Sequence, residues 1–209
     1  MNNKEHYNNW SAIYDTNVNK TRDLEAIALR KNLGDLRFNR ILEIGCGTGK
    51  NSEFLLTKTQ SLTCVDFSEE MLEKARQKIT APNVSFVLAD ITEKWKFKTD
   101  SFDLVTFSLV LEHIGNLDFI FQQANAVLKK DGLIYVGELH PFKQYAGTKA
   151  KYETPDGFVE LECCTHHISA FYNLALLNYF VCEGLSEWFD DDNRAASPRI
   201  LSMIFRKTN

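Results

Sequence analysis

The stretch Ile41-Leu42-Glu43-Ile44-Gly45-Cys46-Gly47-Thr48-Gly49 constrains this chain more than any other. An apolar run with an acidic residue near its end passes into three glycines at alternate positions, and a helical pattern follows. Glycine has no Cβ and enters positive φ at little cost, so such a turn lets backbone come close to a ligand. The start of the next helix adds unpaired N–H groups and a partial positive charge. The stretch therefore predicts a strand, a tight turn and a helix, with a small, polar, nucleoside-like ligand on the turn.

Spacing narrows the ligand. A dinucleotide fingerprint reads G-x-G-x-x-G, whereas here the third glycine, Gly49, comes one residue early. A triphosphate loop reads G-x-x-x-x-G-K-[ST]. Gly49-Lys50 fits its end, but Ile44 stands at the first glycine and Asn51 at the hydroxyl. Lys50 is then simply a first-turn helix residue facing solvent.

Residues 1–38 are polar with a helical period, carrying Trp10, Ile13, Tyr14, Leu24, Ile27, Ala28 and Leu33, and Gly34 reads as a helix stop. From residue 40 strands at 40–44, 62–66, 84–88, 102–108 and 132–138 alternate with helices at 50–57, 69–79 and 116–129. That alternation indicates a parallel sheet with helices on both faces. The strands are apolar nearly throughout, as burial on two sides requires. Beyond 138 the pattern changes. A loop at 142–157, a strand at 158–164, an aromatic-rich helix at 169–181 and two closing strands at 184–189 and 200–206 are expected. The short 190–198 connection suits an antiparallel hairpin. Cys163 and Cys164 would then face opposite sides of a strand.

The E-x-G-x-G-x-G loop from Glu43 to Gly49, with the order of the elements, resembles the class I S-adenosylmethionine-dependent methyltransferases. The motifs cover roughly residues 40–140, and the element order extends over the whole chain. The resemblance implies an α/β, Rossmann-like fold: a seven-stranded, mostly parallel sheet with an antiparallel last strand. It implies one domain over 1–209, with 1–38 as a helical lid and 142–165 as an insertion covering the substrate. The implied cofactor is S-adenosyl-L-methionine, with S-adenosyl-L-homocysteine as product.

In open α/β sheets ligands lie beyond the carboxyl ends of the strands at the topological switch point. Gly45, Gly47 and Gly49 follow the first strand and Asp66 ends the second. A carboxylate at Asp66 can accept from both ribose hydroxyls; it can also cap the next helix, as can Ser68. The family packs apolar side chains at the places of Phe67 and Met71 against adenine, although ordinary helix–sheet packing accounts for them as well. Asp90 matches the acidic residue accepting from the adenine amino group, with the Ile91 amide nearby; a turn carboxylate is the alternative. Thr106-Phe107-Ser108-Leu109-Val110-Leu111-Glu112-His113 resembles the segment whose backbone passes the methionine portion, which brings in Ser108. By resemblance Glu43 orders the glycine loop and reaches the ligand's amino group, often through water; satisfying the loop amides is the alternative, and the two roles are compatible. Trp10-Ser11-Ala12-Ile13-Tyr14-Asp15 resembles an aromatic lid, and Tyr14 is its contact residue. Tyr7 and Tyr14 also suit an amphipathic helix covering the sheet edge. An aromatic face attracts a desolvated cation by about 1–2 kcal/mol.

The reaction implied is methyl transfer from a sulfonium to an oxygen or nitrogen nucleophile. Positioning carries much of such a rate, and a base matters for a poorly nucleophilic acceptor. His140, after the fifth strand, is the first candidate base and His113, after the fourth, the second; His166 and His167 precede the aromatic helix. Each can equally serve as a hydrogen-bonding or capping residue. Lys143, Tyr145, Lys149, Lys151, Tyr152 and Glu153 suit an anionic acceptor, or a merely solvated loop. Phe171, Tyr172, Tyr179, Phe180 and Trp188 suit either an aromatic acceptor pocket or the core.

Composition sets the remaining bounds. The net charge is −4 with no Lys/Arg-rich run, which disfavours a nucleic-acid partner. The absence of a [DN]-P-P-[YF] tetrad, where Ser108-Leu109-Val110-Leu111 stands, disfavours methylation of a base or amide nitrogen. No apolar run reaches a membrane span and the first residues carry no apolar signal region, so a cytoplasmic protein without a membrane partner is expected. The five cysteines form no C-x-x-C pair, and no metal site is expected. A small-molecule acceptor is the expected partner. A non-catalytic S-adenosylmethionine-binding regulator and a nicotinamide-dependent Rossmann oxidoreductase are the alternative readings.

Overall fold

The computed structural model of the protein describes residues 3–11, 14–16, 18–154 and 157–209. Ala12 and Ile13 of the expected lid, and the Glu153 side chain, lie outside the described residues. In chain order the elements are α1 (Asn3–Trp10), α2 (Lys20–Leu33), β1 (Phe38–Ile44), α3 (Ser52–Leu56), β2 (Thr59–Asp66), α4 (Glu69–Lys78), β3 (Val84–Leu88) and β4 (Phe102–Ser108). A 3-10 turn (Leu111–His113) leads to α5 (Leu117–Val127), β5 (Leu128–Leu139), α6 (Pro141–Tyr145), β6 (Lys151–Thr154) and β7 (Gly157–Glu160). The chain closes with α7 (Ile168–Leu177), β8 (Phe180–Trp188) and β9 (Ile200–Lys207).

The main sheet has the order β3-β2-β1-β4-β5-β9-β8. The pairs among β1 to β5 are parallel, and β9 runs antiparallel to both neighbours. This is the Rossmann-like, mostly parallel seven-stranded sheet expected. Alternate residues of each central strand serve opposite cores. Ile41, Leu62 and Leu104 pack with Leu29 and Leu33 of α2, Leu55 of α3 and Leu72 of α4. Leu42, Val65, Val105 and Ile134 pack with Ile120 and Phe121 of α5 and Phe171 of α7. Burial of apolar surface on both faces, at roughly 25 cal/mol per Å², is the main term holding these layers.

Side-chain caps fix the helix starts. Asn19 accepts from the Arg22 amide at 3.0 Å, Ser68 from Met71 at 3.2 Å and Asn116 from Phe119 at 3.1 Å. Gly34 does end α2, but with helical φ of −57°, so its need for left-handed backbone is nil.

The region beyond β5 differs from expectation. The loop at 142–157 contains α6 and a two-stranded hairpin, β6 with β7. The strand expected at 158–164 ends at Glu160, and Cys163 and Cys164 lie in an irregular segment, where the Cys164 amide donates to the Glu112 carbonyl at 2.6 Å. The helix expected to reach 181 stops at Leu177. Tyr179 then adopts φ of 62°, and β8 starts at Phe180, four residues before the expected strand.

Candidate active site

The chain runs outward from β1 through β2 to β3, then crosses to β4 on the other side of β1. The switch point therefore lies between β1 and β4, and a cavity opens there beyond the carboxyl ends of the strands. Ile44, Gly45 and Gly47 line it from β1, Val65 to Phe67 and Met71 from β2 and α4, Ala89 to Ile91 from β3, and Ser108 to Val110 with His113 from β4. Asn3, Tyr7 and Tyr14 close it from the N-terminal side.

The glycine loop is needed for reasons of packing as well as access. At Gly45, φ is +69° and a Cβ would stand 2.2 Å from Val110 Cγ2. Gly49, at φ +85°, meets Ile79 of the α4 C-cap rather than the cavity. Asp66, 7% exposed, accepts from the Gly47 amide at 2.8 Å and the Ser68 amide at 2.9 Å. Burial pushes its carboxyl up to about 6, against the amide hydrogen bonds. Ser68, not Asp66, supplies the side-chain cap of α4. Asp90 accepts from the Thr92 amide at 2.9 Å and its hydroxyl at 2.6 Å, so it forms a turn while lining the cavity.

Two expectations change on geometry. Glu43 does not line the cavity; it is buried and accepts from Ser52 Oγ and Cys64 Sγ beneath the loop. Its contacts tie β1 to the start of α3 and to β2 beneath the loop, so it is not itself part of the cavity wall. His140 does not reach the cavity either. It is fully buried, its Nδ1 accepts from the Phe142 amide at 3.2 Å to cap α6, and its Nε2 lies 3.0 Å from Glu187 Oε1. Burial holds its pKa below the ordinary value, with Glu187 opposing. Both ring nitrogens are thus engaged away from the site.

His113 does line the cavity. Its Nδ1 lies 3.0 Å from the Glu162 carbonyl and 3.3 Å from the Asn3 side-chain nitrogen, and its Nε2 lies 2.9 Å from the Tyr7 hydroxyl. His166 Nε2 reaches the Leu111 and Ile114 carbonyls at 3.1 and 2.8 Å, which pins the covering segment to the 3-10 turn. His167 is exposed and pairs with Tyr145 at 2.7 Å. Phe171 and Phe180 are core residues, and Tyr172 and Tyr179 are exposed. Trp188 donates to Ser202 Oγ at 2.8 Å. None of these five aromatic residues lines the cavity.

Sequence reasoning missed Glu138. Its buried carboxylate accepts from the Val110 and Leu111 amides at 3.0 and 2.8 Å and from the Glu112 amide at 3.4 Å. It thereby shapes the β4 exit, where Leu109 sits at φ 56°, a strained value for a branched residue. Tyr7 and Asn3 were also passed over as lining residues. The signal for Tyr7 was its place one helical turn before Trp10, which it stacks against at 5.7 Å.

The lid is held by charge and ring stacking. Thr48 Oγ1 donates to Asp15 at 2.6 Å, and Lys78 pairs with the same carboxylate. Burial alone would raise the Asp15 pKa; the Lys78 and Thr48 hydrogen bonds and the charges of Lys78 and Arg22 more than offset it. Trp10 stacks on Tyr152 of the hairpin at 5.4 Å. Among the described residues no cluster of His, Cys, Asp and Glu is arranged for a metal, and no helix is long and apolar enough to cross a membrane.

A strand-end cavity of this kind on this sheet defines a class, and comparison with known proteins bears it out. Residues 41–132 match the family described as "Methyltransferase domain". The chain is 31% identical over 107 residues to the ubiquinone biosynthesis O-methyltransferase of Glaesserella parasuis, covering 48% of this chain and 45% of that protein. It thus spans about half the length of the curated relatives it matches. Among solved structures, an S-adenosylmethionine dependent methyltransferase of Mesorhizobium loti superposes with a TM-score of 0.74 at 20% identity, covering 89% of this chain and all of that one. The N-methyltransferase NodS of Bradyrhizobium japonicum WM9, in complex with S-adenosyl-L-homocysteine, covers both chains fully with a TM-score of 0.74 at 17% identity. Residues 41–132 thus carry the likeness to the methyltransferase domain, and the fold of the chain is that of solved S-adenosylmethionine-dependent methyltransferases.

Proposed function

We propose that this protein transfers a methyl group from S-adenosyl-L-methionine to a small-molecule acceptor. The observation that carries the reading is the buried Asp66 carboxylate facing the cavity beside the Gly45–Gly47 backbone, with Asp90 at the next strand end. In this reading Asp66 accepts from the ribose hydroxyls, Phe67 and Met71 pack against adenine, and Asp90 with the Ile91 amide takes the adenine edge. The Ser108–Val110 backbone and Tyr14 face the methionine portion. Glu43, behind the cavity wall, steadies the loop through Ser52 and meets the ligand's amino group through water.

The residues present fit this cofactor, because the lining combines acceptor carboxylates, backbone polar groups and apolar or aromatic walls in one cavity. When bound, S-adenosylmethionine supplies a methyl carbon on a sulfonium sulfur; an acceptor lone pair bonds that carbon as the C–S electrons pass to sulfur. The chain's own part is to align the acceptor and exclude water. His113, on the cavity wall with Nε2 against the Tyr7 hydroxyl, takes a proton, passed through Tyr7, where the acceptor must lose one. The lid at 1–38 and the insertion at 142–165 cover the acceptor. A small acceptor accords with the similar G. parasuis protein, which is named for ubiquinone biosynthesis.

Asp66→Ala tests the reading by calorimetric titration with S-adenosylmethionine. Loss of charge-assisted hydrogen bonds predicts an affinity lower by about 100-fold or more, with the sheet intact by circular dichroism. Unchanged affinity in a folded variant removes Asp66 from the site.

A further inference from the structure

A second cleft, of about 700 Å³, adjoins the cavity and shares Tyr7, Tyr14 and Leu109 with it. Trp10 and Tyr152 form one wall, stacked with their planes 19° apart. Glu112, on the 3-10 turn after β4, also lines the cleft. The Glu112 residue is 6% exposed, and its Oε2 has no hydrogen-bond partner among the described residues. A buried carboxylate oxygen without a partner costs several kcal/mol, which is roughly what a charged ligand group would recover on pairing with it. A second buried carboxyl, Glu138, accepts from the Glu112 amide, and burial with the Glu112 charge pushes its pKa well up. Burial raises the Glu112 pKa, while His113 and the Gln144 and Cys163 side chains pull the other way.

The cleft also carries the other sign. Lys20, Arg22, Lys149, Lys151 and Arg199 line it. Arg199 is neutralised by Asp190, and Lys149 stands 3.8 Å from Glu160. Lys151 lies over the Phe158 ring at 4.9 Å, and Arg22 over Tyr14 at 4.5 Å. Aromatic walls, a buried carboxylate and cations lining one cleft match a molecule of two charges.

We propose that this cleft is the acceptor subsite and that it selects a zwitterion: an amine pairs with Glu112 Oε2, and an anionic group faces Lys151. An amine is favoured over a hydroxyl because an ammonium both donates to Glu112 Oε2 and offsets the charge of the ionised carboxylate. The inference rests on the methyltransferase reading only in calling the bound molecule an acceptor.

Its test uses the full chain and three matched probes, 4-(aminomethyl)benzoate, benzoate and benzylamine, with 4-(hydroxymethyl)benzoate as the control in which an uncharged hydroxyl replaces the ammonium. Calorimetric titrations are run with and without S-adenosylhomocysteine. The two-charge probe is expected to bind at least about tenfold more tightly than any of the others. Glu112→Gln should bring it down to the level of benzoate, and Lys151→Met to the level of benzylamine, with circular dichroism unchanged. Equal binding of all four, no binding of any, an equal affinity for the hydroxymethyl control, or an unchanged Glu112→Gln overturns the proposal. The wild-type ranking decides the matter even where a variant fails to fold. Failure of S-adenosylhomocysteine to bind would sink the cofactor reading alone, since the probe ranking is read in its absence too.

Discussion

Glu43 shows what a single buried carboxyl does here. Burial is the largest influence on it, with Glu25 and Asp66 adding to the effect and Ser52 and Cys64 opposing it, and its pKa is pushed up to about 7. In the unfolded chain it titrates near 4.5. Between those values the folded state holds the proton more tightly, so the associated stability is present below 4.5 and is lost as pH rises through about 7. That span corresponds to roughly 3 kcal/mol. Glu43→Gln removes the titration. Scanning calorimetry of ligand-free protein should find the variant gaining on the wild type between acid and mildly alkaline pH; a difference that stays constant with pH would contradict this. The sequence located Glu43 correctly at its strand end but not its partners. Asp66 and Asp90 were legible because each ends a strand at the edge where ligands bind. His140 was misjudged by the same logic: strand-end position does not reveal that Glu187, 47 residues on, and the Phe142 amide claim its ring.

At the scale of elements, the lid and hairpin hold each other. Trp10, Tyr152 and Leu161 form a small buried cluster, with Tyr7 and Tyr14 packed against it. This cluster is separate from the two cores that flank the sheet. Trp10→Ala removes its largest member, at a cost of about 3 kcal/mol to local packing. Hydrogen exchange should then show α1 and the β6–β7 hairpin opening together, with β1 to β5 still protected and affinity for S-adenosylhomocysteine reduced. Unchanged protection of the hairpin would show that the two elements are not coupled. Neither the hairpin nor the early start of β8 was read from sequence. The apolar run Ala170–Tyr179 keeps a helical rhythm up to the chain reversal, and nothing in composition marks the left-handed Tyr179 that ends it. The central strands were legible, since apolar residues on successive positions mean burial on two faces.

For the molecule as a whole, function follows from one topological fact. Because β1 lies between β2 and β4, the loops leaving β1 and β4 part in opposite directions and open a crevice that β2 and β3 extend. Sequence periodicity supplied the parallel sheet; the antiparallel β9 came from resemblance and is present in the fold. The central claim is that this crevice holds S-adenosylmethionine, with the acceptor entering beside it under the lid. A crystal structure of the protein grown with S-adenosylhomocysteine tests it most directly. The account predicts the adenosyl group between the Gly45–Gly47 loop and Phe67, with the ribose hydroxyls on Asp66. Density for the ligand at any other place, or an empty crevice at saturating ligand, would contradict it.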